Sequence, residues 1–167
     1  ALIIIFIVPI LLGFMSGLVF LTDDGGFEYA FWNNKQYSAF SFMLIITSIF
    51  LSLLISIVEI IKERHIVEKE KLFGISTLAY YFAKLSLLAI FSLIQTLFLY
   101  SFASYILEIP TNLFLNNVII LYIVSINGIT LGLFISSFIK SFLVAYNMIS
   151  ILLLPQLLLG GGFIAYE

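Results

Sequence analysis

The chain has 167 residues and a formal net charge of -2, and its 63% hydrophobic against 10% charged residues, with a mean hydropathy of +1.23, lie well outside soluble usage. The acidic pI near 5.3 and the lack of a basic surface argue against a nucleic-acid partner, and the absence of cysteine removes disulfides, thiolate chemistry and cysteine metal sites. Several runs of about 20 uncharged apolar residues match what is needed to cross about 30 Å of hydrocarbon, so the sequence predicts an all-α, polytopic transmembrane helix bundle in a single domain.

The first span is expected at residues 1–21, with Pro9 near its start. Gly13 and Gly17 stand in G-x-x-x-G spacing, which puts two small residues on one face for close helix packing. The stretch has no basic n-region and is longer than the apolar core of a secretory signal, so it reads as a real span. Without an initiating Met, the chain reads as a piece of a longer protein. Residues 22–40 are polar by this chain's standard, and Asp23, Asp24, Gly25, Gly26, Asn33, Asn34 and Lys35 mark a loop or short interfacial segment. Phe27, Tyr29, Phe31, Trp32 and Tyr37 interleave it as an interfacial aromatic belt; a ligand-binding loop is the alternative. Asp23 and Asp24 lack a third ligand, so no metal site is assigned.

The second span is expected at residues 41–61, followed by a charged segment at 59–76 that holds four of the seven basic residues, Lys62, Arg64, Lys69 and Lys71. Arg64 and Glu68 are spaced i,i+4, while Glu59 with Lys62 and Glu68 with Lys71 are spaced i,i+3, so opposite charges face one another on a helix that continues out of the span. Ile66, Val67 and Phe73 share its apolar face. His65, the chain's sole histidine, reads as a solvated or ion-paired member of this segment. The third span, at 78–107, is longer than one perpendicular crossing needs, so tilt or an interfacial portion is expected. Lys84 lies about two turns inside it and reads as a side chain that snorkels to the headgroups.

Glu108 to Asn112 form a turn with Pro110 as breaker, and Asn116 and Asn117 extend its polar edge. On the fourth span, 118–139, Ser125, Gly128, Gly132 and Ser136 recur at spacings of three and four, a small-residue stripe on which another helix packs. After a tight turn at Lys140 and Ser141, the fifth span covers 142–159. It is interrupted by Pro155 and Gln156, whose freed backbone groups need protein or water, so this end is expected to face a cavity or another helix. If segment 59–76 is cytoplasmic, six of the seven basic residues lie inside and Lys35 alone lies outside. A plasma or bacterial inner membrane suits this multi-pass arrangement.

No phosphate loop, H-E-x-x-H or G-x-S-x-G motif occurs in the sequence, so neither nucleotide hydrolysis nor a histidine triad can be built from these residues. The span interiors are nearly free of ionisable groups, which a proton- or ion-coupled carrier normally keeps. The charged segment is left with two readings, a docking element for a cytoplasmic partner or a solvated loop that only sets topology.

The stretch VEIIKERHIVEKEKLFGISTLAYYFAKL, with its E-x3-E-R-x5-E pattern and aromatic entry ending in Lys84, resembles the membrane domain of type 2, G-subfamily-like ABC transporters. GITLGLFISSFIKS and LLLPQLLLGGGFI are similar to that family's helices four and five. The resemblance implies half of an ATP-driven exporter with six spans, the sixth and the ATPase domain lying outside this chain. It implies that this chain is not an enzyme by itself and binds no cofactor, ATP and Mg being held by the ATPase partner on the same or a separate polypeptide. It further implies that Glu59, Glu63, Arg64 and Glu70 form a polar relay toward that ATPase. A second membrane domain, as homo- or heterodimer, would complete a substrate path between helices two and five, with Ser48, Ser52, Asn147, Ser150 and Leu154 as its lining. Phe163 and Ile164 take the place of an apolar pair that closes the outer exit, although Phe departs from the expected leucine. The alternative is a different polytopic membrane protein, such as a secondary carrier or an accessory subunit; a membrane enzyme would need a convergent polar cluster.

Overall fold

The computed structural model describes residues 2–21, 36–72 and 76–159. Among these residues there are six helices and no strand: α1 (Leu2–Val19), α2 (Tyr37–Ser56), α3 (Glu59–Leu72), α4 (Thr77–Ile106), α5 (Thr111–Phe138) and α6 (Phe142–Leu159). Helix is the only form that lets an apolar run satisfy every backbone N–H and C=O within itself once lipid replaces water. The stretches Tyr37–Arg64, Thr77–Ile106 and Thr111–Phe138 are long and apolar enough to cross a membrane, and Ile5–Val19 and Phe142–Leu158 are shorter apolar helices. At about 1.5 Å per residue, the 30 residues of α4 reach about 45 Å, enough for hydrocarbon and headgroups together.

Two helix pairs form the body, and each is drawn together by glycines. In α1, Gly13 lies against the backbone carbonyl of Leu99 and Gly17 sits 2.9 Å, by its absent Cβ, from the Ile106 side chain. The residue numbers rise together, so α1 and α4 run parallel, with α4 as the chief partner of α1. The second pair is α2 with α5, also parallel. Gly128 abuts the Ser52 hydroxyl, and Gly132 abuts the Ser56 hydroxyl. Each serine turns that hydroxyl back onto its own helix, Ser52 to the Ser48 carbonyl and Ser56 to the Ser52 carbonyl, both at 2.7 Å. Small residues on one side and self-satisfied hydroxyls on the other let the two backbones approach without stranding a polar group. Helix α4 packs on α5 and joins the pairs, while α6 packs on α2.

Several boundaries differ from the sequence reading. Helix α2 starts at Tyr37, four residues ahead of the expected span, because Phe40 is a fully buried core residue and not part of a loop. Helix α5 starts at Thr111 directly after Pro110, so Asn116 and Asn117 are helical instead of belonging to a turn. There Asn117 donates to the hydroxyls of Tyr37 (3.1 Å) and Tyr100 (2.7 Å), which ties α2, α4 and α5 together at one end of the bundle. Helix α6 runs through Pro155 without interruption, and the Gln156 Oε1 next to it is buried with no hydrogen-bond partner among the described residues. The connection from α4 to α5 turns through Glu108 at φ 47°, a left-handed conformation that lets the chain reverse within four residues.

Candidate functional site

At the end of the bundle opposite Asn117, the α2 backbone gives way to the charged helix. Helix α2 ends at Ser56 and α3 begins at Glu59, with Ile57 and Val58 forming a turn between them. The Ile60 amide, which in an unbroken helix would bond four residues back, donates instead to the Ser136 hydroxyl of α5 at 3.2 Å. A side chain inserted into the i→i−4 ladder is one of the few causes of a local break in a helix. Ser136 is 1% exposed, and it continues the register of the α2–α5 seam by one more four-residue step after Ser52–Gly128 and Ser56–Gly132. The small-residue stripe thus has two roles, packing at its glycines and a backbone cap at its last serine.

From this break α3 presents Glu59 and Glu63, one turn apart, to the first turns of α4. Two like charges at i,i+4 repel, so the arrangement needs a cation, and Lys84 supplies it. Its ammonium bonds Glu63 Oε1 at 2.6 Å and Glu59 Oε1 at 3.2 Å. Tyr80, one turn before Lys84, donates its hydroxyl to Glu63 Oε2 at 2.9 Å, and its ring centroid lies 6.0 Å from the Lys84 Nζ. The Lys84 side chain is 16% exposed. Sequence reasoning gave Lys84 an individual existence among headgroups; the structure pairs it with two carboxylates from another helix. Helix α4 enters this cluster from a defined start, since the Ser76 hydroxyl caps it by accepting from the Ala79 amide at 3.2 Å. The four groups Glu59, Glu63, Tyr80 and Lys84 hold α3 to α4, and Ser136 holds it to α5.

The other expected residues are distributed as follows. Arg64 is half-buried on α3, next to Glu63. Glu70 belongs to the same helix, with its side chain outside the described set, and Phe163 and Ile164 lie outside the described residues, as do Asp23 and Asp24. Ser48 and Ser52 are buried on α2, Ser52 against Gly128 of α5, whereas Asn147, Ser150 and Leu154 are exposed on α6. Within one chain these five do not share an open surface. The i,i+3 pair of Lys62 with Glu59 is present at 3.9 Å. Tyr80 and Ser136 were missed as parts of the charged cluster. The signal available for Lys84 and Tyr80 was the like-charge spacing of Glu59 and Glu63, which called for donors from elsewhere; for Ser136 there was none beyond its place in the stripe.

Chemically, the cluster binds helices together. The family model described as ABC-2 type transporter matches residues 1–167. Comparison with curated proteins and with solved structures gives no match.

Proposed function

The chain belongs to the ABC-2 type transporter membrane family, and from that premise we propose that it is the permease half of an ATP-driven exporter whose charged helix α3 receives the movement of a cytoplasmic ATPase. An integral membrane permease component of this kind is not itself catalytic. A second membrane domain pairs with this one to complete the substrate path, and the exposed Asn147, Ser150 and Leu154 of α6 are the residues of this chain that such a path would use. The observation that supports coupling through α3 is its attachment. A helix of mostly charged residues, separated from α2 by a break, is pinned at Ile60 to α5 and at Glu59 and Glu63 to α4. A push on α3 therefore reaches both long helices through short polar contacts.

The test is performed on the complete transporter with its ATPase, reconstituted in vesicles, with Glu63→Lys and the exchange Glu63→Lys/Lys84→Glu. Expected is an inserted, ATP-hydrolysing Glu63→Lys transporter that no longer moves substrate, with transport restored in part by the exchange. If Glu63→Lys transports at the parent rate, or fails to insert at all, α3 is only a topology signal.

A further inference from the structure

Between α2 and α4, with Ile5 of α1 and Tyr146 of α6 also on its wall, lies a cavity of about 370 Å³ lined by Leu54, Leu88 and Phe91, with Lys62 and Glu59 at the end where α3 begins. Its volume is in the range of small-molecule sites, and its lining side chains other than Glu59, Lys62 and Tyr146 are apolar. The order along the helices gives it a direction. Leu54 and Ile55 lie about a turn before Glu59 on the α2 side, and Leu87, Leu88 and Phe91 follow Lys84 on α4, so the cavity runs from a charged mouth toward the apolar middle of the bundle.

We infer that this cavity is a binding site for one bilayer phospholipid of anionic headgroup, its phosphate on Lys62 and one acyl chain between Leu54, Leu88 and Phe91. Charge complementarity at the mouth selects the occupant. The nearer partner of Glu59 is Lys84 at 3.2 Å, and Lys84 also holds Glu63 at 2.6 Å, so both carboxylates are committed to the cation on α4. Lys62 keeps a 3.9 Å contact to Glu59, and its side chain is 53% exposed. A cation so placed, above an apolar slot in a chain that sits in lipid, accepts a phosphate whose tail the slot takes. The site joins α2 to α4 next to the break at Ile57 and Val58, and Tyr146 of α6 closes one wall, beside Asn147 of the proposed transport path. The inference needs only the membrane setting and stands or falls separately from coupling through α3.

Trp32 is the chain's sole tryptophan, which gives a direct probe. The complete transporter carrying Trp32→Phe and Phe91→Trp is reconstituted in phosphatidylcholine vesicles containing equal mole fractions of brominated phosphatidylglycerol or brominated phosphatidylcholine, and quenching is read as the difference from the Trp32→Phe parent. Leu87→Trp serves as a second reporter if Phe91→Trp does not fold. Expected is a preference for the brominated phosphatidylglycerol of about fivefold in relative association, the size one basic side chain gives toward an anionic lipid surface, and its loss in Lys62→Gln. Equal quenching by both lipids, a preference that survives Lys62→Gln, no quenching at all, or displacement of the lipid by a transported compound would each overturn the proposal.

Discussion

Replacing Lys84 by Met keeps the length of the side chain and removes the cation that Glu59 and Glu63 share, leaving Glu59 its 3.9 Å contact to Lys62. Two carboxylates one helical turn apart are then left facing α4 without their cation, and Tyr80 continues to donate to one oxygen of Glu63 alone. Stranding one side of a fully buried ion pair costs about 3–5 kcal/mol, and an exposed pair is worth below about 1 kcal/mol. Side-chain exposures of 16% for Lys84, 20% for Glu59 and 31% for Glu63 place this cluster between those limits, at about 1–3 kcal/mol. In a chain of 167 residues, each kcal/mol moves a melting midpoint by about 2–4 °C, so Lys84→Met should lower the temperature of half-loss by about 2–12 °C. The assay is the monodisperse gel-filtration peak of the detergent-solubilised transporter after heating. The cause is isolated by the triple variant Glu59→Gln/Glu63→Gln/Lys84→Met, which removes the stranded charges and should recover most of the loss. A triple variant as unstable as Lys84→Met would refute the electrostatic account and assign the role of Lys84 to packing.

Further outcomes follow from the seams. Ser136→Ala takes away the acceptor of the Ile60 amide; at about 1 kcal/mol for a part-buried hydrogen bond, exchange protection of the peptide spanning residues 57–64 should fall about fivefold by mass spectrometry, and unchanged protection would mean that water replaces the serine. Gly13→Ala forces a methyl into the backbone carbonyl of Leu99, whereas Gly17→Ala meets only the Ile106 side chain. The first should therefore cost about 1–3 kcal/mol and the second less, and equal melting midpoints for the two would count against the packing described. Asn117→Leu breaks both bonds to Tyr37 and Tyr100 and should destabilise by about 1–3 kcal/mol; in a Tyr100→Phe background the same change should cost measurably less.

The apolar helices were legible because their runs carry no charge, or in α4 a single one, Lys84, and the α5 stripe was legible because Ser125, Gly128, Gly132 and Ser136 keep helical spacing with no large residue among them. Partners were harder to read. The G-x-x-x-G of α1 announces a close contact without saying with what, and its partner proves to be α4, about half the chain away in sequence. Lys84 shows the same limit. Taken singly it is a basic side chain near a helix start, for which headgroups are a sufficient neighbour, and only the offset of α3 against α4 brings two carboxylates to it. Phe40 and Asn117 were assigned to loops by their polar neighbours, yet one is core and the other closes the opposite end of the bundle. Local composition described their surroundings in the sequence and missed their surroundings in space.

The partnership of α1 with α4 also bears on how the chain is made. The glycine face of α1 stays uncovered until Leu99 and Ile106 have been synthesised, about 90 residues after α1 itself, which at about 5–20 residues per second takes roughly 4–18 s. During that interval α1 waits in the bilayer with its small residues against lipid, while α2 waits in the same way for Gly128 and Gly132 of α5. The two seams thus close late and nearly in succession, α1 on α4 and then α2 on α5. A ribosome stalled before residue 99 leaves a nascent membrane protein with neither seam closed.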